Sequence, residues 1–162
     1  MLETSEDLAR LQGLLDRSHD GAGDHLRSII TPERRVTAPE LAALLEGMCL
    51  LTLATVTADG RPLAGAVDGI FYRGEFWFGS SPDSVRFRHI AARPAVSATH
   101  LRGEAFGLTV HGTAHRTDAA ADEGFAGSCR DIYGDGWDDW GAGAAYARIE
   151  ADKMFTFRLD EA

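Results

Sequence analysis

Seven consecutive residues near the middle of the chain, Ser80-Ser81-Pro82-Asp83-Ser84-Val85-Arg86, combine three hydroxyls, a helix start and a guanidinium. Such a cluster can hold a phosphate. The free N–H groups and dipole of a helix N-terminus favour negative charge. A guanidinium adds a two-pronged contact to phosphate oxygens. The same residues also make an ordinary helix cap, because Ser and Asp are preferred at that position. The residue types alone leave both readings open.

Three further groups of residues could border a ligand. Gly65, Ala66 and Gly69 flank Val67 and Asp68 on an expected strand. Small residues there let a flat ring approach the backbone, and equally let a curved sheet bend. Asp68 is polar within an apolar run, so it either hydrogen-bonds a ring edge or faces solvent on alternate positions. Arg61 follows a turn and could reach an anion. His111 and His115 are four apart on another expected strand and share a face. No carboxylate or cysteine nearby in sequence completes a ligand set, and no metal is expected. The chain has no G-x-S-x-G elbow, no phosphate-binding P-loop and no zinc pattern. These absences favour chemistry carried by a bound cofactor over a side-chain nucleophile.

The elements that must position these residues follow from periodicity and punctuation. Leu8, Leu11, Leu14 and Leu15 recur at helical spacing, which predicts a helix over 4–17 and a break at 19–24. Thr37-Ala38-Pro39-Glu40 is a capping box, and the helix it opens stops at Gly47. Strands are expected over about 48–57, 63–73, 75–80, 95–102, 105–116 and 147–159. Asp59-Gly60 between the first two predicts a hairpin closed by a primed turn. A short helix over 84–92 stops before Pro94. A helix fits 119–133, and residues 134–143, with Trp137 and Trp140, form a turn-rich loop. Many short strands with a few helices predict a mainly β chain built on a barrel.

The 162 residues suffice for one domain with a proper core. No apolar run is long enough to span a membrane. Cys49 and Cys129 are far apart and lie in apolar or helical contexts, so a reduced, cytoplasmic protein is expected. The net charge of −9 argues against nucleic-acid binding. Residues 1–48 carry nine acids and five bases, residues 49–117 five acids and seven bases, and residues 118–162 eleven acids and four bases. An anionic ligand would find its local attraction in the middle segment.

Five stretches carry a resemblance to a known family. They are Leu53-Ala54-Thr55-Val56 with Asp59-Gly60-Arg61-Pro62; Phe76-Trp77-Phe78-Gly79-Ser80 leading to Ser84 and Arg86; residues 90–97; Val110-His111-Gly112-Thr113-Ala114; and the terminal strand through Phe155-Thr156-Phe157. In this order they resemble the pyridoxamine 5′-phosphate oxidase-like, flavin-binding split-barrel superfamily. The resemblance implies a six-stranded antiparallel split barrel of Greek-key type with flanking helices. It would occupy 37–162, with 1–36 as an N-terminal helical extension. It also implies a homodimer with the cofactor in a groove between subunits; the charge and the lack of a long apolar run lead to no expected nucleic-acid or membrane partner.

For function, the resemblance implies an FMN-dependent oxidoreductase acting on a small molecule, with hydride moving through the flavin N5 atom. The cofactor-binding residues it implies are Arg61, Ala66, Val67, Asp68, Ser80, Ser81, Ser84, Arg86 and His111. The position of Arg86 is often lysine in the family, and arginine keeps the charge while changing the geometry. A deazaflavin (F420) reductase is the alternative, whose long anionic tail would need Arg61, Arg88 or Arg93 as well. A non-catalytic haem- or flavin-binding protein is a third reading, with His89, His100, His111 and His115 as the available haem ligands. The acidic tail lacks the extra basic groups of the vitamin B6 oxidases.

Overall fold

The computed structural model describes residues 2–141 and 143–159. Six antiparallel strands close a barrel: β1 (Met48–Val56), β2 (Pro62–Tyr72), β3 (Glu75–Ser80), β4 (Ala95–Arg102), β5 (Phe106–Thr117) and β6 (Ala145–Arg158). Around the barrel they run β1-β2-β3-β6-β5-β4. The strands alternate buried and exposed positions, as a curved sheet with one dry face requires. Leu51, Leu53, Val67, Phe76, Phe78, Leu108, Val110 and Ile149 fill the interior. This is the mainly β barrel with flanking helices that the sequence predicts.

Helix α1 (Ser5–Asp20) starts at a capping box in which Thr4 and Asp7 exchange hydrogen bonds, and it runs three residues past the expected end. Its Leu11 and Leu15 join the barrel's own core. Short α2 (Asp24–Ile29) was not expected and begins within the stretch read as a break. The Thr37–Glu40 capping box opens α3 (Ala38–Leu44). Helix α4 (Val85–Ala92) follows β3, capped by Ser84.

The turns differ from expectation in an instructive way. After β1 only Gly60 has positive φ, and its N–H reaches the Thr57 carbonyl at 3.0 Å. A primed turn would need positive φ at the first central residue, so the Asp59-Gly60 turn is not primed. The Thr57 hydroxyl accepts from the Arg61 N–H at 2.9 Å and closes a wider loop instead. The tight hairpin is the next one. Tyr72 pairs with Glu75, and both loop residues, Arg73 (φ 54°) and Gly74 (φ 83°), are left-handed.

A second apolar cluster lies outside the barrel. Ile70 and Trp77 pair across β2 and β3. With Tyr72 they are covered by Phe125, Ala126 and Cys129 of α5 (Glu123–Tyr133). Trp77 stacks on Phe125 with ring centroids 4.4 Å apart. Fully burying a ring such as Phe125 contributes roughly 2–3 kcal/mol, enough to fix α5 against the sheet. The stretch expected to be a loop contains a helical turn, α6 (Trp137–Gly141).

Candidate functional site

Where α5 and α6 approach β2 and β3 the surface leaves a cleft of about 400 Å³. Such a volume suits a small-molecule or cofactor site. Ala66, Val67 and Asp68 of β2, Ser80 of β3, Ser81 and Arg86 line it. The remaining walls are aromatic: Trp77, Phe125, Tyr133, Trp140 and Tyr146.

Arg86 projects from the first turn of α4 back over β2. Its Nη2 donates to the Ala66 carbonyl at 3.0 Å, and Nη1 to Ser80 Oγ at a long 3.5 Å. The side chain is half-buried. Burial lowers its pKa from the ordinary arginine value, with no charged partner opposing that shift. Among the described residues no carboxylate pairs with it. A partly desolvated cation that meets only neutral acceptors is matched to an anionic ligand.

Ser84 accepts from the Phe87 N–H at 3.3 Å, so its hydroxyl caps α4. It lines a smaller groove of about 210 Å³, shared with Gly65, Thr55 and Arg86, beside the main cleft. Arg61 lies outside the cleft. It is exposed and pairs with Asp59 at 2.7 Å within its own turn. His111 is also elsewhere, bonded to Ser97 Oγ at 2.7 Å and lining a separate surface groove with Leu101 and Phe155. Six of the nine expected residues therefore meet at one cleft: Ala66, Val67, Asp68, Ser80, Ser81 and Arg86.

The other basic candidates are engaged away from this cleft. Arg88 donates to the Asp83 carbonyl and Arg93 to the Val56 carbonyl, each at 3.0 Å. Among the described residues no histidine lines the cleft. His89 is bonded to Thr55, His100 to the Leu50 carbonyl, and His115 faces Glu150 at 3.1 Å. Among the described residues no three His, Cys, Asp or Glu side chains gather as a metal site.

Phe125, Tyr133 and Tyr146 are what sequence reasoning missed; for Trp137 and Trp140 it left open a place over the cofactor or against the barrel. Tyr133 donates toward Asp68 Oδ2 at 3.4 Å, and burial, then the Asp68 charge, push the phenol pKa well up. The two tryptophans of the turn-rich stretch divide the work. Trp137 is buried and donates to Tyr146 Oη at 2.9 Å. Trp140 is 55% exposed, borders the cleft and meets Tyr133 edge to face at 5.4 Å. Arg130 of α5 grips Asp138 of α6 with 2.9 Å contacts and so fixes where Trp140 stands. One signal could have pointed here. Ile70, Tyr72 and Trp77 sit on outward strand positions, and so much outward apolar surface demands a cover.

A family model described as pyridoxamine 5′-phosphate oxidase matches residues 37–161. The chain belongs to the pyridoxamine 5′-phosphate oxidase family. No curated protein sequence matches it. Among solved structures it resembles the conserved hypothetical protein Rv2991 from Mycobacterium tuberculosis, with a TM-score of 0.67 and 19% identity over 82% of this chain and 94% of that one. HutZ, a haem storage protein from Vibrio cholerae, gives 0.63 and 20% identity over 76% and 97%. A protein named F420 reductase gives 0.52 and 18% identity over 69% and 93%. At these identities the likeness is one of fold.

Proposed function

We propose that the chain is an FMN-dependent oxidoreductase that holds the coenzyme in the β2–β3 cleft. The observation that carries this reading is Arg86: half-buried, without a carboxylate partner, and beside Ser80 and Ser81. These groups would hold the phosphate. Ala66, Val67 and Asp68 would border the ring, with Asp68 free to accept from a ring N–H. Bound flavin supplies hydride exchange with a small-molecule substrate through N5. The chain's contribution is orientation and exclusion of water, and the aromatic wall suits both.

Two features favour FMN over its alternatives. The extra arginines that a long F420 tail would need are committed elsewhere: Arg61 to Asp59, Arg88 and Arg93 to backbone carbonyls. Haem would need an axial ligand; among the described residues no His, Cys or Met lines the cleft, and the Tyr133 and Tyr146 hydroxyls are engaged with Asp68 and Trp137.

The same reading includes a homodimer. The outward face of β1 and β4 carries Leu50 and Leu101, exposed to 57% and 65%. Leu50 stands opposite Asp68 in the β1–β2 register, so this face runs directly into the cleft. A second copy laid there would cover the apolar patch and close the cofactor groove.

Parallel titrations of FMN and F420, read by coenzyme fluorescence and thermal shift, test the proposal. Micromolar FMN binding with weaker F420 binding is expected. No FMN binding, or a Soret band in the purified protein, would overturn it.

A further inference from the structure

The cleft has two charged ends. At one is Arg86. At the other is Asp68, two residues along β2 from the Ala66 carbonyl that Arg86 holds, exposed and, among the described residues, accepting from Tyr133 alone at 3.4 Å. Among the described residues no Lys, Arg or His pairs with Asp68. Ala66 and Asp68 are separated by roughly 7 Å of strand backbone.

Around Asp68 stand π-faces. Tyr133 and Trp140 meet edge to face, and Phe125, Trp77 and Tyr146 complete the lining. A carboxylate beside convergent aromatic rings is the chemistry that recognises an organic cation, because ring quadrupoles attract positive charge once water is excluded. The rim adds to this. Asp135, Asp138 and Asp139 sit on or just before α6, in the stretch that carries Trp140; Arg130 pairs with Asp138 and also feels the charge of Asp135.

We propose that Asp68, Tyr133 and Trp140 form a subsite for a cationic nitrogen, so that ligands carrying an organic ammonium group enter this end of the cleft. Asp68 supplies the counter-charge. Tyr133 holds the carboxylate in place through its hydroxyl, and its own proton stays bound because its pKa is raised. Trp140 supplies an exposed ring face. The subsite uses the carboxylate that the flavin reading sets beside the ring, so the cation and the ring are alternative occupants of this end and the cation is tested on the coenzyme-free chain.

Titration of the full chain with benzyltrimethylammonium, and with benzyl alcohol as the neutral comparison, tests it. Binding is read by tryptophan fluorescence and confirmed by thermal shift. The cation is expected to bind at least tenfold more tightly than the alcohol. Asp68→Asn should remove most of that preference, and Trp140→Ala should weaken the cation about fivefold, each with an unchanged far-ultraviolet circular dichroism spectrum. Equal affinity for cation and alcohol, or a preference untouched by Asp68→Asn, overturns the proposal. A chain that binds FMN yet ignores the cation fails here alone. One that binds the cation but no flavin fails only the coenzyme reading.

Discussion

The Arg86 guanidinium donates to the Ala66 carbonyl at 3.0 Å, tying the first turn of α4 to the strand that borders the cleft. The bond fixes the side chain without neutralising it. Arg86 is therefore held in place before any ligand arrives, which lowers the ordering cost of binding an anion. Replacing it by Ala should weaken FMN binding by ten- to a hundredfold, since a charge-assisted contact is worth about 1.5–3 kcal/mol. Arg86→Lys should recover part of this by keeping the charge while losing the fork. Isothermal titration of the three proteins measures it.

Ser81 and Ser84 should separate cleanly. The Ser84 hydroxyl is committed to the Phe87 N–H. Ser84→Ala should cost about 1 kcal/mol of stability and lower Tm by roughly 2–4 °C, with little change in FMN affinity. Ser81 is exposed at the cleft and is not a cap. Ser81→Ala should leave Tm alone and weaken FMN binding about fivefold, the worth of one neutral hydrogen bond. Calorimetric melting and binding on both variants check the division.

Much of this arrangement could be read from residue order. The six strands follow from alternation, and the hydroxyl–arginine cluster stands out because its members are contiguous. Most of the aromatic wall could not be read, and the Trp137–Trp140 stretch left two readings open. Phe125, Tyr133 and Trp140 reach the cleft from 39 to 54 residues beyond Arg86, and nothing local ties them to β2. Gly134 and Gly136 disguise α6, a turn too short for periodicity to show. Arg61 misled for the opposite reason. It lies close to the cleft strands in sequence, but the nearest anion is Asp59, two residues away.

The acid limb of stability should depend on Asp7. Its side chain is only 1% exposed, and burial alone would raise its pKa. Hydrogen bonds from the Thr4 backbone and hydroxyl and from Arg73 and Arg10 prevail and lower it from 3.8 to about 2. A depressed folded-state pKa stabilises fully above the unfolded value and is lost as pH falls through the folded one. About 2 kcal/mol should therefore disappear between about pH 4 and pH 2. Asp7→Asn should be less stable at pH 7 and show a flatter acid limb in urea unfolding.

Gly112 sits at the irregularity between β5 and β6, where His111 pairs with Lys153 and Gly112 with Ala151. A Cβ there would overlap the Glu150 carbonyl oxygen. Backbone cannot yield as a side chain would, so Gly112→Ala should cost about 1–3 kcal/mol or more and lower Tm by at least several degrees. Gly127→Ala is the control, because a Cβ there meets nothing within 4 Å. Helix propensity should make that variant neutral or slightly more stable.

The most direct measurement compares FMN with riboflavin, which differs only by lacking the phosphate, on the wild-type chain and on Arg86→Ala. Wild type should bind FMN at least tenfold more tightly than riboflavin, and Arg86→Ala should bind the two about equally. Equal affinity in the wild type, or a phosphate preference that survives the loss of Arg86, would contradict the account.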